Sequence, residues 1–377
     1  MKAVDRLMRQ GVAEGVFPGG VLHVRANGRD LFHEAYGQAD IFSGQPMTPD
    51  TVFDLASLTK PLATAPAVLM LVQEGRLGLR DRIGDLLPDF NNTDKGAVTL
   101  AQLLTHTAGF PAHREYFLTL AALSGEERSS ALRRLLAAEP LEYAPGTDQI
   151  YSDLGYMALK YVVEAVAGKP LDRFVQEAIF SPLGVDDLFF IDLNNPAARA
   201  VLMGRRLFAA TEDCPRRRRL LKGMVHDDNA YEAGGIGGQA GLFGTSAAVA
   251  RLLNALLEIY GGRMMTGPLS REMVSLLLTV RPGAKRTFGF DTPDRDHSSA
   301  GKMFSGTTVG HLGFTGVSMW LDVAYGIMVL LFTNRVHPDR NNNAIKMFRP
   351  LLHDAVMEAV LGAGHYQNQN ESAGFKK

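Results

Sequence analysis

The two ends of the chain carry short apolar runs typical of strands, whereas its middle follows the longer period of helices. Near the N-terminus, two strand-like runs flank Asn27-Gly28, the dipeptide that favours a tight β-hairpin. Late in the chain, the runs 317–323 and 327–333 are separated by a short polar break. Strands at both ends around a helical middle indicate one α+β layer with a helical insertion.

Residues from about 58 to 260 are mostly helical in pattern, and glycines mark the ends of several predicted helices. The stretch 61–72 carries no charged side chain, and an uncharged helix must be buried. Pro61 is acceptable in a first helical turn, because that turn has N–H groups without partners. Pro66 lies deeper in the stretch, and we expect it to kink or break the helix.

The pattern therefore predicts a single domain over residues 1–377. Its α/β part is expected at about 1–60 and 230–366, and its helical part at about 61–229. Residues 367–377 are polar and are predicted to form a frayed tail. A chain of 377 residues that is 46% hydrophobic can bury a large core without disulfides or metals.

Composition excludes several classes of protein. The formal net charge is −1, so no overall field attracts nucleic acid or an anionic membrane, and the basic run 216–219 is interpreted as a solvated loop. One cysteine, Cys214, excludes an internal disulfide framework. No charge-free run is long enough to span a bilayer, and charged residues from 5 to 14 interrupt any signal-peptide core. We expect a cytoplasmic protein, unless a leader was removed.

Ser57 and Lys60 are the most informative pair in the sequence. Side chains three residues apart lie on one face of a helix, so the hydroxyl and the ammonium should meet. A serine hydroxyl becomes a useful nucleophile only when a neighbour takes its proton or stabilises its anion. A lysine does so when burial and positive neighbours lower its pKa. This arrangement is typical of serine acyl-transfer enzymes.

A second S-x-x-K sequence, residues 299–302, includes a glycine and follows a charged segment. We interpret it as a solvated loop, because no apolar helical stretch follows it. The run 234–238 holds four glycines but lacks the strand and acidic residue of a nucleotide site, so close backbone packing is the better interpretation. His226 and Asp228 form too small a set to predict a metal.

Two further motifs occur in the order that an S-x-x-K enzyme requires: Tyr151-Ser152-Asp153 and His311-Leu312-Gly313. With them come the framework runs 103–109 and 238–245. Together these residues, from about Gly19 to Pro338, resemble the serine β-lactamase and penicillin-binding-protein superfamily. The resemblance is to its branch of class C β-lactamases, D-Ala-D-Ala carboxypeptidases and related esterases. It implies a β-lactamase/transpeptidase-like fold, with a mostly antiparallel sheet flanked by helices.

The resemblance also implies a role for each motif residue. Ser57 would attack an acyl carbon and form a covalent acyl-enzyme, with Lys60 and Tyr151 acting together as its general base. Positive charge beside Tyr151 would favour its phenolate. The backbone N–H groups of Ser57 and Phe314 would form the oxyanion hole. Gly313 would leave room for the substrate, because a side chain there would crowd it.

Two positions depart from the pattern of the resistance enzymes. Asp153 stands where β-lactamases usually have asparagine, and a carboxylate cannot donate to a substrate carbonyl. His311 replaces the usual lysine, so the fixed positive charge that meets a substrate carboxylate becomes partial near neutral pH. Both residues are still assigned to substrate binding. Both changes favour ester or unusual peptide substrates over penicillins.

We therefore expect a serine hydrolase that acts through an acyl-enzyme on an ester or amide. It would be an esterase or a D-amino-acid peptidase-like enzyme with weak or no β-lactamase activity. A muropeptide is one candidate for its substrate. No metal, organic cofactor or nucleic acid is expected, and the partner would be a small ester or peptide substrate. The alternative is a catalytically silent penicillin-binding or scaffold protein that retains the fold. No sequence feature indicates the oligomeric state.

Overall fold

The computed structural model describes residues 1–281, 283–294 and 298–362. Eleven strands in this part of the chain are β1 (Gly19–Ala26), β2 (Arg29–Asp40), β3 (Gln45–Pro46), β4 (Phe53–Asp54), β5 (Leu188–Phe190), β6 (Ala210–Cys214), β7 (Arg219–Lys222), β8 (Leu242–Gly244), β9 (Thr308–Leu312), β10 (Ser318–Asp322) and β11 (Ile327–Thr333). The predicted tail 367–377 lies outside the described residues.

The α-helices are α1 (Lys2–Ala13), α2 (Ala65–Gln73), α3 (Ile83–Leu86), α4 (Leu100–Leu104), α5 (Phe117–Leu120), α6 (Gly125–Ala138), α7 (Asp153–Ala167), α8 (Leu171–Val175), α9 (Pro196–Arg205), α10 (Asp228–Glu232), α11 (Ser246–Tyr260), α12 (Arg271–Leu278) and α13 (Ile345–Gly362). Tighter 3₁₀ turns cover Ala56–Leu58, Pro88–Phe90 and Ser181–Leu183, and wider π turns cover Lys60–Thr64 and Gln176–Phe180.

A six-stranded antiparallel sheet joins the two ends of the chain in the order β3-β2-β1-β11-β10-β9. The predicted hairpin is present between β1 and β2, where Asn27 and Gly28 both have positive φ, at 51° and 75°. These angles match the primed turns whose twist suits a hairpin. The α+β class with a mostly antiparallel sheet and flanking helices is therefore confirmed.

The central strands are buried on both faces, and each face has its own core. Val21 on β1 and its neighbour Phe332 on β11 belong to the large core that includes α2, α7 and α11. Leu22 and its neighbour Leu331 point the other way, into a smaller core covered by α1 and α13. Because side chains alternate along a strand, two cores of this kind produce the continuous apolar runs seen in the sequence.

The uncharged stretch after Ser57 is buried as predicted, but Pro66 does not break it. The π turn over Lys60–Thr64 is followed directly by α2, which begins at Ala65. Pro66 therefore lies in the first turn of this α-helix. A proline is tolerated there because its missing N–H would have had no helical partner. The helical register changes from π to α one residue before Pro66.

Two small sheets complete the fold, and the hydrophobic pattern did not predict them. One has the order β4-β8-β5, and the other is the β6–β7 hairpin. Both draw strands from the segment whose pattern is mostly helical. Within the described residues, no helix is long and apolar enough to cross a membrane.

Buried neutral histidines should make the fold sensitive to acid. Burial lowers the pKa of His353 to about 3, and burial lowers that of His23 to about 4. Unfolding exposes both rings, whose ordinary pKa is about 6.5, so between about pH 6.5 and 4 the unfolded chain binds protons that the folded protein does not. We expect the free energy of unfolding to fall as the pH falls, by up to about 1.4 kcal/mol per pH unit for each histidine.

Urea unfolding from pH 7 to pH 4.5 measures this slope. His353→Gln removes one of the groups that bind a proton on unfolding, so the free energy of unfolding should depend less steeply on pH. His113→Gln is the control, because this half-exposed ring has a raised pKa and its loss should not make the slope shallower. A stability that is flat or rises towards acid would contradict the expectation.

Candidate active site

Ser57 is presented by a strained turn at the end of β4. Ala56, directly before it, has a φ of 46°, in the left-handed region that residues other than glycine rarely adopt. The buried carboxylate of Asp54 holds the turn, because Oδ1 accepts from the N–H of Ala56 at 2.9 Å and Oδ2 from that of His226 at 2.6 Å. Strain of this kind persists only where the surrounding structure enforces it, and it is frequent at functional sites.

Lys60 is fully buried, and its ammonium group has three acceptors. Nζ donates to Ser57 Oγ at 3.1 Å, to Asp153 Oδ1 at 2.7 Å and to the backbone carbonyl of Gln239 at 3.1 Å. The spacing of three residues predicted the first contact. The second joins the π turn before α2 to the start of α7, where Ser152 caps the helix.

Lys60 is held as an ammonium ion. Burial alone would lower its pKa, but the charge of Asp153 and the interactions with Tyr151 outweigh burial, and the net pKa is raised. A lysine that serves as a free base needs the opposite shift, so the expectation that positive neighbours lower the pKa of Lys60 is wrong for this structure. Lys60 therefore supplies positive charge to Ser57.

Tyr151 lies directly against this charge. The Lys60 Nζ atom is 4.9 Å from the centre of its ring, and its hydroxyl interacts with both Lys60 and Ser57. Burial raises the pKa of Tyr151, Lys60 lowers it, and burial prevails. The phenol is thus the resting form at neutral pH, rather than the phenolate that the resemblance implied. The buried ring of His106 packs beside it, 4.7 Å away between ring centres, and accepts from the N–H of Ser152.

Asp153 is ionised and bridges two cations. Its second oxygen, Oδ2, faces Nδ1 of His113 at 3.5 Å, while Oδ1 holds Lys60. Burial would raise the pKa of Asp153, but Lys60 and His113 lower it well below its usual range. The same contact raises the pKa of His113. As a carboxylate, Asp153 only accepts hydrogen bonds, as its identity predicted.

His311 lies on β9, at the edge of the large sheet, with its ring centre 5.8 Å from that of Tyr151. The ring is buried, with 2% exposed, and burial together with the charges of Lys60 and Arg286 lowers its pKa to about 4. Near neutral pH, His311 therefore carries no charge. The partial positive charge expected from the sequence is absent.

Gly313 leaves no room for a side chain within the protein itself. A Cβ on this residue would lie 2.3 Å from Cγ2 of Val317 and 2.8 Å from the backbone oxygen of Leu55. Both distances are shorter than real contacts, so any side chain would push β9 away from the turn before Ser57. This packing requires glycine, and the expected crowding of a substrate stays a prediction.

The N–H groups of Ser57 and Phe314 donate to no other group among the described residues. Phe314 is 53% exposed, and its backbone position is fixed because Arg335 Nε donates to its carbonyl at 3.0 Å. The ring of His226 stacks on Phe314 at 5.5 Å. Two unused donors beside a nucleophile are suited to an oxyanion.

Four residues of this site were not identified from the sequence: Asp54, His113, Gln239 and Arg286. Arg286 pairs with Asp291, and its guanidinium carbon lies 5.0 Å from the centre of the Tyr151 ring. His113, Gln239 and Arg286 reach the site through tertiary packing from distant segments, and one sequence carries no local signal for contacts of this kind. Asp54 is local, because it lies in the turn before Ser57 and accepts from the N–H of Ala56.

Other candidates from the sequence have structural partners. Arg216 and Arg217 both pair with Asp228, whereas Arg218 and Arg219 are exposed, so half of the basic run is solvated and half is bound within the protein. His226 faces Glu212 instead of Asp228. In the part of the chain that the structure describes, no three His, Cys, Asp or Glu side chains are grouped to hold a metal ion. Ser299 lies in a loop, as predicted, and its carbonyl accepts from His353.

Known proteins share this sequence and architecture. A putative D-alanyl-D-alanine carboxypeptidase of Escherichia coli K12 is 33% identical over 91% of this chain and 85% of its own length. An N-acetylmuramyl-L-alanine amidase of Bacillus subtilis is 30% identical over 92% of this chain and 84% of its own.

Solved structures show the same fold. EstCE1, described as a hydrolase with promiscuous acyltransferase activity, superposes with a TM-score of 0.70 at 24% identity, over 93% of this chain and 98% of its own. An octameric penicillin-binding protein homologue from Pyrococcus abyssi gives 0.72 at 20% identity, over 96% and 77%. The Beta-lactamase family model matches residues 4–351. The chain therefore belongs to the Beta-lactamase family. The family and the two sequence relatives indicate that this protein is a hydrolase of the serine β-lactamase and penicillin-binding-protein superfamily.

Proposed function

We propose that the protein hydrolyses an ester or amide through a covalent acyl-enzyme on Ser57. The observation that carries this proposal is the 3.1 Å contact between Ser57 Oγ and the buried Lys60 ammonium. The unused N–H groups of Ser57 and Phe314 support it, because they can stabilise the oxyanion of a tetrahedral intermediate. Ser57, Lys60 and Tyr151 are the proposed catalytic residues.

We propose that Tyr151 is a protonated phenol before the reaction and relays the proton of Ser57, rather than acting as a phenolate base. As Ser57 Oγ bonds to the acyl carbon, its proton passes to the Tyr151 oxygen, and the phenol proton passes to the leaving group as its bond breaks. A hydroxyl both accepts and donates, so this transfer needs no standing phenolate. Lys60 stabilises the negative charge that develops on both oxygens. In deacylation, the water oxygen bonds to the acyl carbon and gives a proton to Tyr151. The bond from the acyl carbon to Ser57 Oγ then breaks, and Tyr151 returns its proton to Oγ, which releases the acid.

The two substrate-facing departures favour substrates other than penicillins. Asp153 is ionised and His311 is neutral, so neither the amide donor nor the fixed cation of a β-lactamase is available. We propose an esterase or a D-amino-acid peptidase-like activity, with weak or no β-lactamase activity. The names of the two sequence relatives, a carboxypeptidase and an amidase, are consistent with a cell-wall amide as substrate.

A catalytically silent scaffold is the weaker proposal. A fully buried Lys60 and a left-handed Ala56 each cost stability, and a protein that only binds ligands has no need of either. The costs are explained if the turn and the ammonium serve a reaction at Ser57.

Ser57→Ala should abolish turnover of activated esters such as p-nitrophenyl acetate. All covalent chemistry is assigned to one oxygen, so its loss should cost several orders of magnitude in kcat/KM. A fluorophosphonate should label the wild-type protein at Ser57, as shown by mass spectrometry, and should not label the variant. Ser299→Ala, in the second S-x-x-K sequence, is the matched control and should retain activity. Wild-type turnover by a folded Ser57→Ala protein would refute the proposal.

Lys60→Met and Tyr151→Phe should each remove most of the ester hydrolysis, and the double variant should lose little more. The two groups act on the same proton, and effects of residues that work as a unit are strongly non-additive. The measurement is kcat/KM for the wild type, both single variants and the double variant, with circular dichroism to confirm folding. Independent, multiplying losses would mean that the two residues do not share one step.

Asp153→Asn should lower the pH above which ester hydrolysis declines. The variant removes the anion that raises the pKa of Lys60, so burial should make this ammonium lose its proton at a lower pH. The profile of kcat/KM from pH 6 to pH 10 measures the shift. Asp148→Asn, which changes an exposed carboxylate nearby, should leave the profile unchanged. Superimposable profiles for Asp153→Asn and the wild type would show that this ion pair does not control the reaction.

A further inference from the structure

The Nε2 atom of His311 is a buried polar atom without a partner among the described residues. Its ring projects from β9 towards Tyr151, and β9 packs against the 3₁₀ turn that carries Ser57. Buried polar atoms are nearly always hydrogen-bonded, and an exception next to a nucleophile calls for an explanation. A bound substrate is the natural candidate for the missing partner.

The hydrogen-bonding role of Nε2 follows from the other ring nitrogen. Nδ1 of His311 lies 2.8 Å from the backbone carbonyl of Leu312, a contact that requires a proton on Nδ1. In a neutral imidazole, one nitrogen donates and the other accepts. Nε2 therefore presents a lone pair to the site. Its missing partner is a donor, an O–H or an N–H.

The cations around His311 are already neutralised. Arg286 is paired with Asp291, and Lys60 is paired with Asp153. Both cations also act against protonation of His311. A substrate carboxylate would thus meet an acceptor where the related β-lactamases have a lysine, and two acceptors repel each other. This part of the site is unsuited to an anion.

We propose that His311 Nε2 accepts a hydrogen bond from a substrate hydroxyl or amide N–H, so that the enzyme selects substrates with a donor at this position over those with a carboxylate. The proposal rests on the proposed acyl-enzyme chemistry at Ser57 and names the substrate class for it. It assigns His311 a role in specificity, through direct contact with the substrate. The proton on Nδ1 and the lack of a partner for the buried Nε2 among the described residues are the features that carry it.

Two sets of esters test the proposal, one for each side of the scissile bond. The first varies the leaving group: meta-hydroxyphenyl, meta-methoxyphenyl and meta-carboxyphenyl acetate. The second varies the acyl group: p-nitrophenyl hydroxyacetate and methoxyacetate. The quantity measured is the ratio of kcat/KM for the hydroxyl ester to that for its methoxy partner. Comparison of this ratio between variants cancels the intrinsic reactivity of each ester.

His311→Leu should lower this ratio about three- to tenfold in at least one set, which is the usual contribution of one hydrogen bond. His311→Gln keeps an acceptor and should restore much of the preference. The wild type should show no preference for the carboxyphenyl ester. The control is His33→Gln, because His33 lies on β2, four strands away in the same sheet, and this change should leave the ratio unchanged.

Each outcome is decisive. A ratio that is the same in the wild type and His311→Leu for both sets would overturn the proposal. If His311→Leu also lowers kcat/KM equally for all esters, Nε2 interacts with Tyr151 instead of the substrate. A wild-type preference for the carboxylate would also overturn it. Labelling of Ser57 by a fluorophosphonate distinguishes a failure of the His311 proposal from a failure of the proposed function. An inactive protein whose Ser57 is not labelled would refute the proposed function, whatever the ratio.

Discussion

The ion pair between Lys60 and Asp153 is the interaction on which the rest of the site depends. An ammonium without solvent is very costly unless a carboxylate and further acceptors surround it, and here Asp153, Ser57 and the carbonyl of Gln239 do so. These partners come from three distant segments. The pair therefore fixes the nucleophile turn, the first residue of α7 and the loop before β8 relative to one another. Loss of Asp153 would leave the Lys60 ammonium buried without a carboxylate, and loss of Lys60 would leave Asp153 with His113 as its remaining cationic partner.

The same pair determines the chemistry that remains possible. With its pKa raised, Lys60 supplies charge and no lone pair, so in the proposed reaction the proton of Ser57 moves through Tyr151. Tyr151 in turn keeps its proton at rest because burial outweighs the nearby charge. These two protonation states are the reason for proposing a relay through a neutral phenol. The proposed reaction then depends on the oxyanion donors at Ser57 and Phe314, since it has no strong base to drive the attack.

The sequence predicted the features that depend on local spacing. The hairpin at Asn27-Gly28 and the contact between Ser57 and Lys60 follow from fixed periods of strand and helix. The sequence did not predict the π turn before Pro66, which places this proline in the first turn of α2. Arg286 and His113 reach the site across long stretches of chain, and no spacing indicates them, whereas Asp54 is local to Ser57 and only its two hydrogen bonds reveal its role. The protonation states also depended on burial, which pairs of residues in a sequence do not reveal.

The two departures from the β-lactamase pattern act in the same direction, and the structure gives a reason for them to occur together. Asparagine to aspartate adds a negative charge beside Lys60, and lysine to histidine removes a positive charge on the other side of Tyr151. A neutral His311 adds no fixed cation to the site, and the Lys60–Asp153 pair remains the charge interaction next to Ser57. The proposed selectivity against anionic substrates and the raised pKa of the buried Lys60 therefore agree with one charge arrangement.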